Sequence, residues 1–403
     1  MEHCHHARFV FNIGLEQRTM WRRSKHDRGA GLDADRMNTA TQMRQLAQLR
    51  AEVDWLRAGS SSVQQAALRD LDRAFANLYS GRAKYPTFKR RSEREGSFVI
   101  RDLSVRRLNR RWGQALVPKV GWVRFRITRL WSEIEAANSA RVAHRNGVWH
   151  IAFTTPPAAK IDANTGAAVG IDRGVKNTLA TSEGLMIQAP SFTGLEADRF
   201  LMLQRRLSRQ VTGSTRRKET LDQMAVLRRR LDSRRTDWVE QVTTDLARTY
   251  DLIAVEDLRI NNMIRRPKPK PDPDNEGVFL RNGARAKASL NRAILASSWG
   301  RFATRLEQKM PEGHVVRVDP KNTSRTCAAC GHCAPGNRES QAVFECVACR
   351  HQADADTNAA QVILMRALQD LPEESGYAAG HAVNGRLSPA ATGAAGSVNR
   401  PAA

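Results

Sequence analysis

The sequence predicts a multidomain chain of α/β and β class, in which a small β-barrel with helices ahead of it precedes a mixed α/β region. Three observations predict it. Apolar residues repeat every three to four positions over 37–80, alternate with a period of two over 115–153, and from residue 167 onward fall into short apolar strands separated by long amphipathic helices. Two Cys-x2-Cys pairs, Cys327/Cys330 and Cys346/Cys349, interrupt that last region with the spacing of a zinc ribbon.

In order along the chain, Met43, Leu46, Leu49, Val53 and Leu56 mark one helix, and Val63, Ala67, Leu71, Phe75 and Leu78 a second. The break Gly59-Ser60-Ser61-Ser62 divides them into an antiparallel pair. Ahead of them, His3, Cys4, His5 and His6 resemble a metal-binding cluster, but so close to the terminus they are expected to lack fixed structure, and they are given no role. A basic stretch follows at 84–94. The alternating runs Trp122-Val123-Arg124-Phe125-Arg126-Ile127 and Val148-Trp149-His150-Ile151-Ala152-Phe153, bounded by Gly113, Gly121 and Gly147, predict antiparallel strands. Pro156 and Pro157 open a linker.

The second region begins with strands at 167–172 and 178–180, followed by helices at about 195–210 and 217–249. The longer helix is marked by Leu221, Met224, Leu227, Leu231, Trp238, Val242 and Leu246. A strand at 252–255, a Pro/Lys/Asn-rich loop, one helix at 289–309, a strand at 314–318, the Cys segment and a helix at 357–371 complete it. After Pro372 large apolar residues are few, which predicts a disordered tail.

The 403 residues carry 65 Lys+Arg against 41 Asp+Glu, a formal charge of 65 − 41 = +24. The excess is spread over both halves, which excludes a basic tail on a neutral enzyme. It suits a polyanion, because neutralised phosphates release condensed counterions. No apolar run approaches the roughly 20 residues that span a bilayer. The N-terminus lacks the pattern of a secretory signal. The expected location is the cytoplasm. Five of six Cys fall between Cys327 and Cys349, which in a reducing compartment argues for metal and against disulfides.

Three carboxylates stand where an acid is poorly explained by structure. Asp172 ends the apolar strand Ala168-Val169-Gly170-Ile171, Glu256 ends Leu252-Ile253-Ala254-Val255, and Asp356 opens the last helix. Taken singly, Asp172 could be a turn residue before Gly174, Glu256 an Arg partner, and Asp356 an N-cap. Taken together they can converge, and such a cluster repels itself unless hard cations neutralise it. Two Mg²⁺ ions about 3.5 to 4 Å apart could then promote phosphodiester hydrolysis.

Four thiolates at Cys327, Cys330, Cys346 and Cys349 suit a structural tetrahedral Zn²⁺ with no open position, and the metal supplies folding energy that so short a segment lacks. Cys333 or His332 could replace Cys330, although the paired spacing favours the four cysteines.

The blocks GIDRGVKN at 170–177, IAVEDL at 253–258, LNRAILASSWGRF at 290–302, PKNTSRTCAACG at 320–331 and ADTNAA at 355–360 closely resemble the TnpB (OrfB) proteins of bacterial insertion sequences, relatives of the type V CRISPR effectors. RFVFNIGLEQR at 8–18, QQAALRDLDRAFANL at 64–78 and YPTFKRR at 85–91 resemble that family too. The resemblance implies an RNase H-like (RuvC-like) nuclease domain with a zinc ribbon, preceded by a β-barrel wedge domain with a helical insertion. The boundaries expected are a partial barrel start at 1–36, the insertion at 37–95, the barrel at 96–160, the nuclease domain at 161–320 and 353–371, the ribbon at 321–352 and a tail at 372–403. Members of the family carry about one further strand and helix ahead of the RFVFN block.

The implied activity is RNA-guided DNA cleavage, with Asp172, Glu256 and Asp356 catalytic and Asp354 beside them. The implied partners are a guide RNA from the element end and double-stranded target DNA, with self-association possible, no membrane, and older naming as a transposase. Charge and position add Lys89, Arg90, Arg91, Arg216, Arg217, Arg228, Arg265 and Arg266 as nucleic-acid contacts, and the loop over 261–287 as a lid. The alternative reading is a guide-directed DNA-binding protein that has lost cleavage, which the short N-terminus favours.

Overall fold

The computed structural model describes residues 1–27, 37–91, 95–145, 147–275, 277–338, 340 and 342–371. The expected tail at 372–403 lies outside them. The chain divides into two compact units, Met1–Pro157 and Ala158–Ala403.

The first unit opens with helices α1 (Glu2–Asp27), α2 (Thr39–Glu52), α3 (Asp54–Ala58) and α4 (Ser61–Tyr79). Gly59 ends α3 and Ser60 caps α4, accepting from Val63 N, so the break falls where the Gly-Ser run placed it. Strands β1 (Gly96–Arg101), β2 (Val105–Arg107), β3 (Trp112–Val117) and β4 (Gly121–Arg126), the short α5 (Trp131–Glu135), and β5 (Ser139–Arg145) and β6 (Val148–Thr154) follow.

Three expectations change here. Residues 2–27 are helical, not the start of a barrel, because Val10, Phe11 and Leu15 share one helix face against Leu68, Leu71 and Phe75 of α4 and Phe98 of β1. The same packing buries His3, Cys4 and His6, so the terminal cluster belongs to a core and has fixed structure. Among the described residues the strands form two three-stranded antiparallel sheets, β1-β5-β6 and β2-β3-β4, in place of one closed barrel. A two-oxygen ion pair from Arg141 on β5 to Asp70 on α4, at 2.9 and 2.7 Å, ties the first sheet to the helices.

The second unit contains β7 (Ala168–Asp172), β8 (Leu179–Thr181), β9 (Met186–Ile187), α6 (Gly194–Ser208), α7 (Thr215–Thr249), β10 (Leu252–Glu256), α8 (Ile260–Met263), β11 (Lys270–Pro271), β12 (Phe279–Leu280), α9 (Ala284–Ala296), α10 (Trp299–Lys309), β13 (Val315–Val318), β14 (Val343–Glu345), β15 (Gln352–Asp354) and α11 (Ala355–Gln369). Its five-stranded sheet has the order β13-β10-β7-β8-β9. The β7-β8-β9 part is an antiparallel meander, whereas β10 and β13 join in parallel, with Ile171 opposite Val255 and Val255 opposite Arg317.

Burial on both faces explains the near-continuous apolar runs of β7 and β10. Val169, Ile171, Ile253 and Val255 face Trp238, Val242 and Leu246 of α7 and Phe302 and Leu306 of α10. By the strand period of two, Gly170 and Ala254 turn to the other face, where Ile363 and Ala367 of α11 pack. The single helix expected at 289–309 is two helices. Ser298 takes a left-handed backbone (φ 59°) between them, and this corner lets α10 return onto the sheet while α9 does not.

Candidate active site

The two-residue alternation of the sheet decides where its acids go. Asp172 and Glu256 follow Gly170 and Ala254 on their strands, so both carboxylates fall on the α11 face at the carboxyl ends of two neighbouring parallel strands. Asp356 sits in the first turn of α11, whose N-cap is Asp354. The Asp354 Oδ1 accepts from the backbone N–H of Asp356 at 3.0 Å and of Thr357 at 3.1 Å. The capping role weighed for Asp356 thus falls to its neighbour, and the Asp356 side chain is left to face the sheet.

Helix α11 reaches the strands because position 170 is glycine. A Cβ there would lie 2.0 Å from the Ala360 carbonyl oxygen and 2.8 Å from Leu364 N. Electrostatics records the convergence. Burial, then the charges of Glu256 and Asp356, push the Asp172 carboxyl up to about 7. Burial also raises that of Glu256, which is 7% exposed, against the opposing effects of Thr323, Arg173 and Arg366.

Two of the three acids are held by side-chain neighbours. Thr323 Oγ1 donates to Glu256 Oε1 at 2.6 Å, Asn177 Nδ2 donates to Asp356 Oδ2 at 2.9 Å, and Arg338 lies 3.8 Å from Asp356 Oδ1. Buried Arg173 donates to the main-chain oxygen of Glu256, so the Arg partner weighed for that acid contacts its backbone. Three carboxylates from two strands and a helix, with Asp172 destabilised as an anion by the other two, are oxygen ligands of the kind a hard divalent cation takes.

The four cysteines come together as a second centre. All four Sγ atoms lie within 4.8 Å of one another, with Cys327 and Cys349 at 3.7 Å and Cys330 and Cys346 at 3.6 Å. Metal–sulfur bonds of about 2.3 Å around a tetrahedral ion give sulfur–sulfur edges of about 3.8 Å, so this geometry fits such an ion. The two knuckles are copies of one another. Gly331 N donates to Cys327 O and Arg350 N to Cys346 O, each at 2.9 Å, and these residues, each directly after the second Cys of its pair, have left-handed backbones, φ 74° and 61°. The backbone amides of Cys349 and Ala348 lower the Cys346 thiol to about 6. Cys333 lies outside the group of four, exposed and bridged through its backbone to Thr326.

Two fully buried asparagines, which the sequence alone did not single out, fasten this centre. Asn337 donates to Arg325 O and His332 O and accepts from Val347 N, joining the two knuckles. Asn358 on α11 accepts from Ala328 N at 3.0 Å and donates to Thr326 O at 2.8 Å, so the helix that carries Asp356 also holds the first knuckle.

The expected nucleic-acid contacts divide by their present partners. In the first unit, the Lys89 ammonium stands 3.7 Å from the Phe11 ring centre, while Arg90 and Arg91 are exposed. In the second, Arg216, Arg265 and Arg266 are exposed, and the Arg228 guanidinium lies 5.0 Å from the Phe200 ring centre. Arg217 instead donates to Leu207 O and Gln210 O, closing the turn between α6 and α7. No helix among the described residues is long and apolar enough to cross a membrane.

Comparison with known proteins gives a consistent result. A family model of the OrfB_IS605 type, described as "Probable transposase", matches residues 150–266, and one for the Cas12f1-like TNB domain matches 299–363. A candidate RNA-guided DNA endonuclease of Escherichia coli strain K12, InsQ, is 31% identical over 335 residues, 82% of this chain and 77% of that protein. A similarly named protein of Streptomyces pristinaespiralis is 28% identical over 322 residues, 79% and 74%. A cryo-EM structure of a Cas12f1–sgRNA–target DNA complex aligns over 89% of this chain and 91% of that one, at 15% identity and a TM-score of 0.28.

Proposed function

The chain belongs to the OrfB_IS605 family, and from that premise we propose that it is an RNA-guided DNA endonuclease encoded by an insertion sequence and linked to transposition. In this reading the second unit is a RuvC-like nuclease domain of RNase H-like fold carrying a zinc ribbon. The first is a wedge domain with a helical insertion, and their partners are a guide RNA and double-stranded target DNA. Guide pairing supplies sequence specificity, and the protein reads backbone shape and a short motif beside the target.

One observation carries the reading: β7, β10 and the first turn of α11 bring Asp172, Glu256 and Asp356 together, near enough that the other two acids add to burial in raising the Asp172 carboxyl. An arrangement that holds three carboxylates against their own repulsion is stabilised by bound cations, and Mg²⁺ would supply the charge and Lewis acidity for phosphodiester hydrolysis. Asp172 and Glu256 present their carboxylates from the rigid sheet. Asp356 presents its own from α11, and Thr323 and Asn177 fix the orientation of two of the three. Zn²⁺ at Cys327, Cys330, Cys346 and Cys349 would have a structural role, since four thiolates leave no coordination position for substrate. Exposed Arg216, Arg265 and Arg266 are proposed to contact nucleic-acid backbone, with the segment 261–287 as a lid.

The test is to express the chain with the DNA flanking its gene, sequence the RNA that copurifies, and use that RNA in a plasmid cleavage assay. Asp172→Ala, Glu256→Ala and Asp356→Ala each abolish cutting and leave RNA binding intact. Retained cutting in any of the three overturns the site. A guide-directed binder without cleavage would bind target and leave it whole in the unmutated protein as well.

A further inference from the structure

Asn177 and Gln188 meet because β7, β8 and β9 form a meander: Asn177 lies in the turn before β8, and Gln188 directly follows β9. Asn177 Nδ2 donates to Asp356 Oδ2 at 2.9 Å, and Asn177 Oδ1 accepts from Gln188 Nε2, also at 2.9 Å. The same Nε2 donates to the main-chain oxygen of Lys176 at 3.0 Å. A main-chain carbonyl only accepts, so the Gln188 amide must turn its NH₂ end this way. At the other end, the Ala189 N–H donates to Thr178 Oγ1 at 2.9 Å, which leaves the Thr178 proton for Gln188 Oε1 at 3.4 Å.

Main-chain groups at both ends therefore set the direction of every bond in the chain Thr178–Gln188–Asn177–Asp356. With Asn177 Oδ1 occupied as an acceptor, its amide has one orientation, NH₂ toward Asp356. The flipped amide would set oxygen against Asp356 Oδ2 and a donor against the Gln188 donor, breaking two bonds at once. A short helix-borne carboxylate that could otherwise rotate is thus held by one named oxygen.

We propose that Gln188 and Asn177 are positioning residues for the metal centre: they hold Asp356 through Oδ2, opposite the Arg338 guanidinium 3.8 Å from Oδ1, in the orientation in which it would serve a divalent cation. The proposal rests on the nuclease reading above. Partners behind metal ligands are typically worth about 10- to 100-fold in metal affinity, because they remove the rotational freedom the ligand would otherwise lose on binding.

The test measures Mn²⁺ binding, by electron paramagnetic resonance of the free ion, to zinc-loaded protein without RNA. Asp172→Ala defines the signal that belongs to the acid cluster. Asn177→Ala weakens Mn²⁺ binding by about 10- to 100-fold. Gln188→Glu, which sets an acceptor against Asn177 Oδ1, weakens it comparably, and Gln188→Ala weakens it less. Gln188 is exposed, so its variants fold, and melting temperatures near that of the unmutated protein check this. In the Asn177→Ala background, Gln188→Ala has no further effect, and high Mn²⁺ restores cutting by Asn177→Ala but not by Asp356→Ala. Unchanged Mn²⁺ affinity in Asn177→Ala, or a Gln188→Ala effect that persists without Asn177, overturns the proposal while the nuclease reading stands. If the unmutated protein binds no more Mn²⁺ than Asp172→Ala, the premise fails and the proposal with it.

Discussion

Gly170 on β7 and Ala360 on α11 approach so closely that a Cβ at position 170 would lie 2.0 Å from the Ala360 carbonyl oxygen. The obstacle is helix backbone, which cannot swing aside as a side chain can. Gly170→Ala therefore forces α11 away from the sheet, at a loss of about 1 to 3 kcal/mol for an overpacked contact. Asp356 moves with the helix, so the variant should melt earlier and also lose most of its Mn²⁺ affinity. Thermal denaturation and Mn²⁺ titration of the same sample check both effects. An unchanged metal affinity would show that the acid cluster does not depend on this contact.

Asp172 makes stability depend on pH when no cation is bound. Its folded value of about 7 lies above the ordinary carboxylate range, so between about 4 and 7 the folded chain holds a proton that the unfolded chain has released. Stability is fully present below that window and is lost as pH rises through it, on the order of a few kcal/mol at about 1.4 kcal/mol per pH unit. Asp172→Asn removes this dependence: Mg²⁺-free, the variant is more stable than the parent at pH 8, and the two converge near pH 4. Added Mg²⁺ raises the melting temperature of the parent at pH 8 and leaves that of the variant unchanged.

The acids and cysteines were legible because each breaks a local pattern, an acid ending an apolar strand or a Cys pair at knuckle spacing. Their supports were not. Thr323, Asn177 and Asn358 lie inside the same blocks of sequence, but a buried polar tie and a solvated turn residue have the same letter, and only the fold distinguishes them. Residues 1–36 are expected to begin a barrel, although Val10, Phe11 and Leu15 also fit a helix face, and packing against α4 decides it. Ser297-Ser298 interrupts no apolar period, so the corner between α9 and α10 left no signal beyond two serines of modest helix propensity. Arg217 was indistinguishable by charge from the exposed Arg216, and only its two carbonyl partners separate them.

Arg350 occupies a left-handed position, φ 61°, where the matching place in the other knuckle has Gly331, φ 74°. An L-residue with a Cβ is disfavoured there by about 1 to 2 kcal/mol, partly offset by the greater freedom that glycine has in the unfolded chain. Its ion pair with Glu345, 3.6 Å long on a largely exposed side chain, adds little. Arg350→Gly should therefore stabilise the ribbon by about 0.5 to 1 kcal/mol and slow zinc loss to a chromogenic chelator, while Gly331→Ala should do the reverse. Equal zinc release from all three proteins would remove backbone strain as a factor in this centre.

Asn358 couples the two centres, since one fully buried amide on α11 holds both Ala328 N and Thr326 O of the first knuckle. Asn358→Leu keeps the approximate volume but strands one backbone donor and one acceptor without water, a loss of about 1 to 3 kcal/mol for each group left unsatisfied. Because α11 is also anchored on the sheet through Ile363 and Ala367, the helix should stay and the knuckle detach. Hydrogen exchange then rises at Ala328 and Cys330 while α11 remains protected, and zinc is lost faster than from the parent. Thr323 follows the same segment into the ribbon and carries the hydroxyl that holds Glu256, so DNA cutting should fall together with zinc retention. If exchange rises at Ala328 with cutting unaffected, the ribbon is a separate module and the coupling through Asn358 has no role in the site.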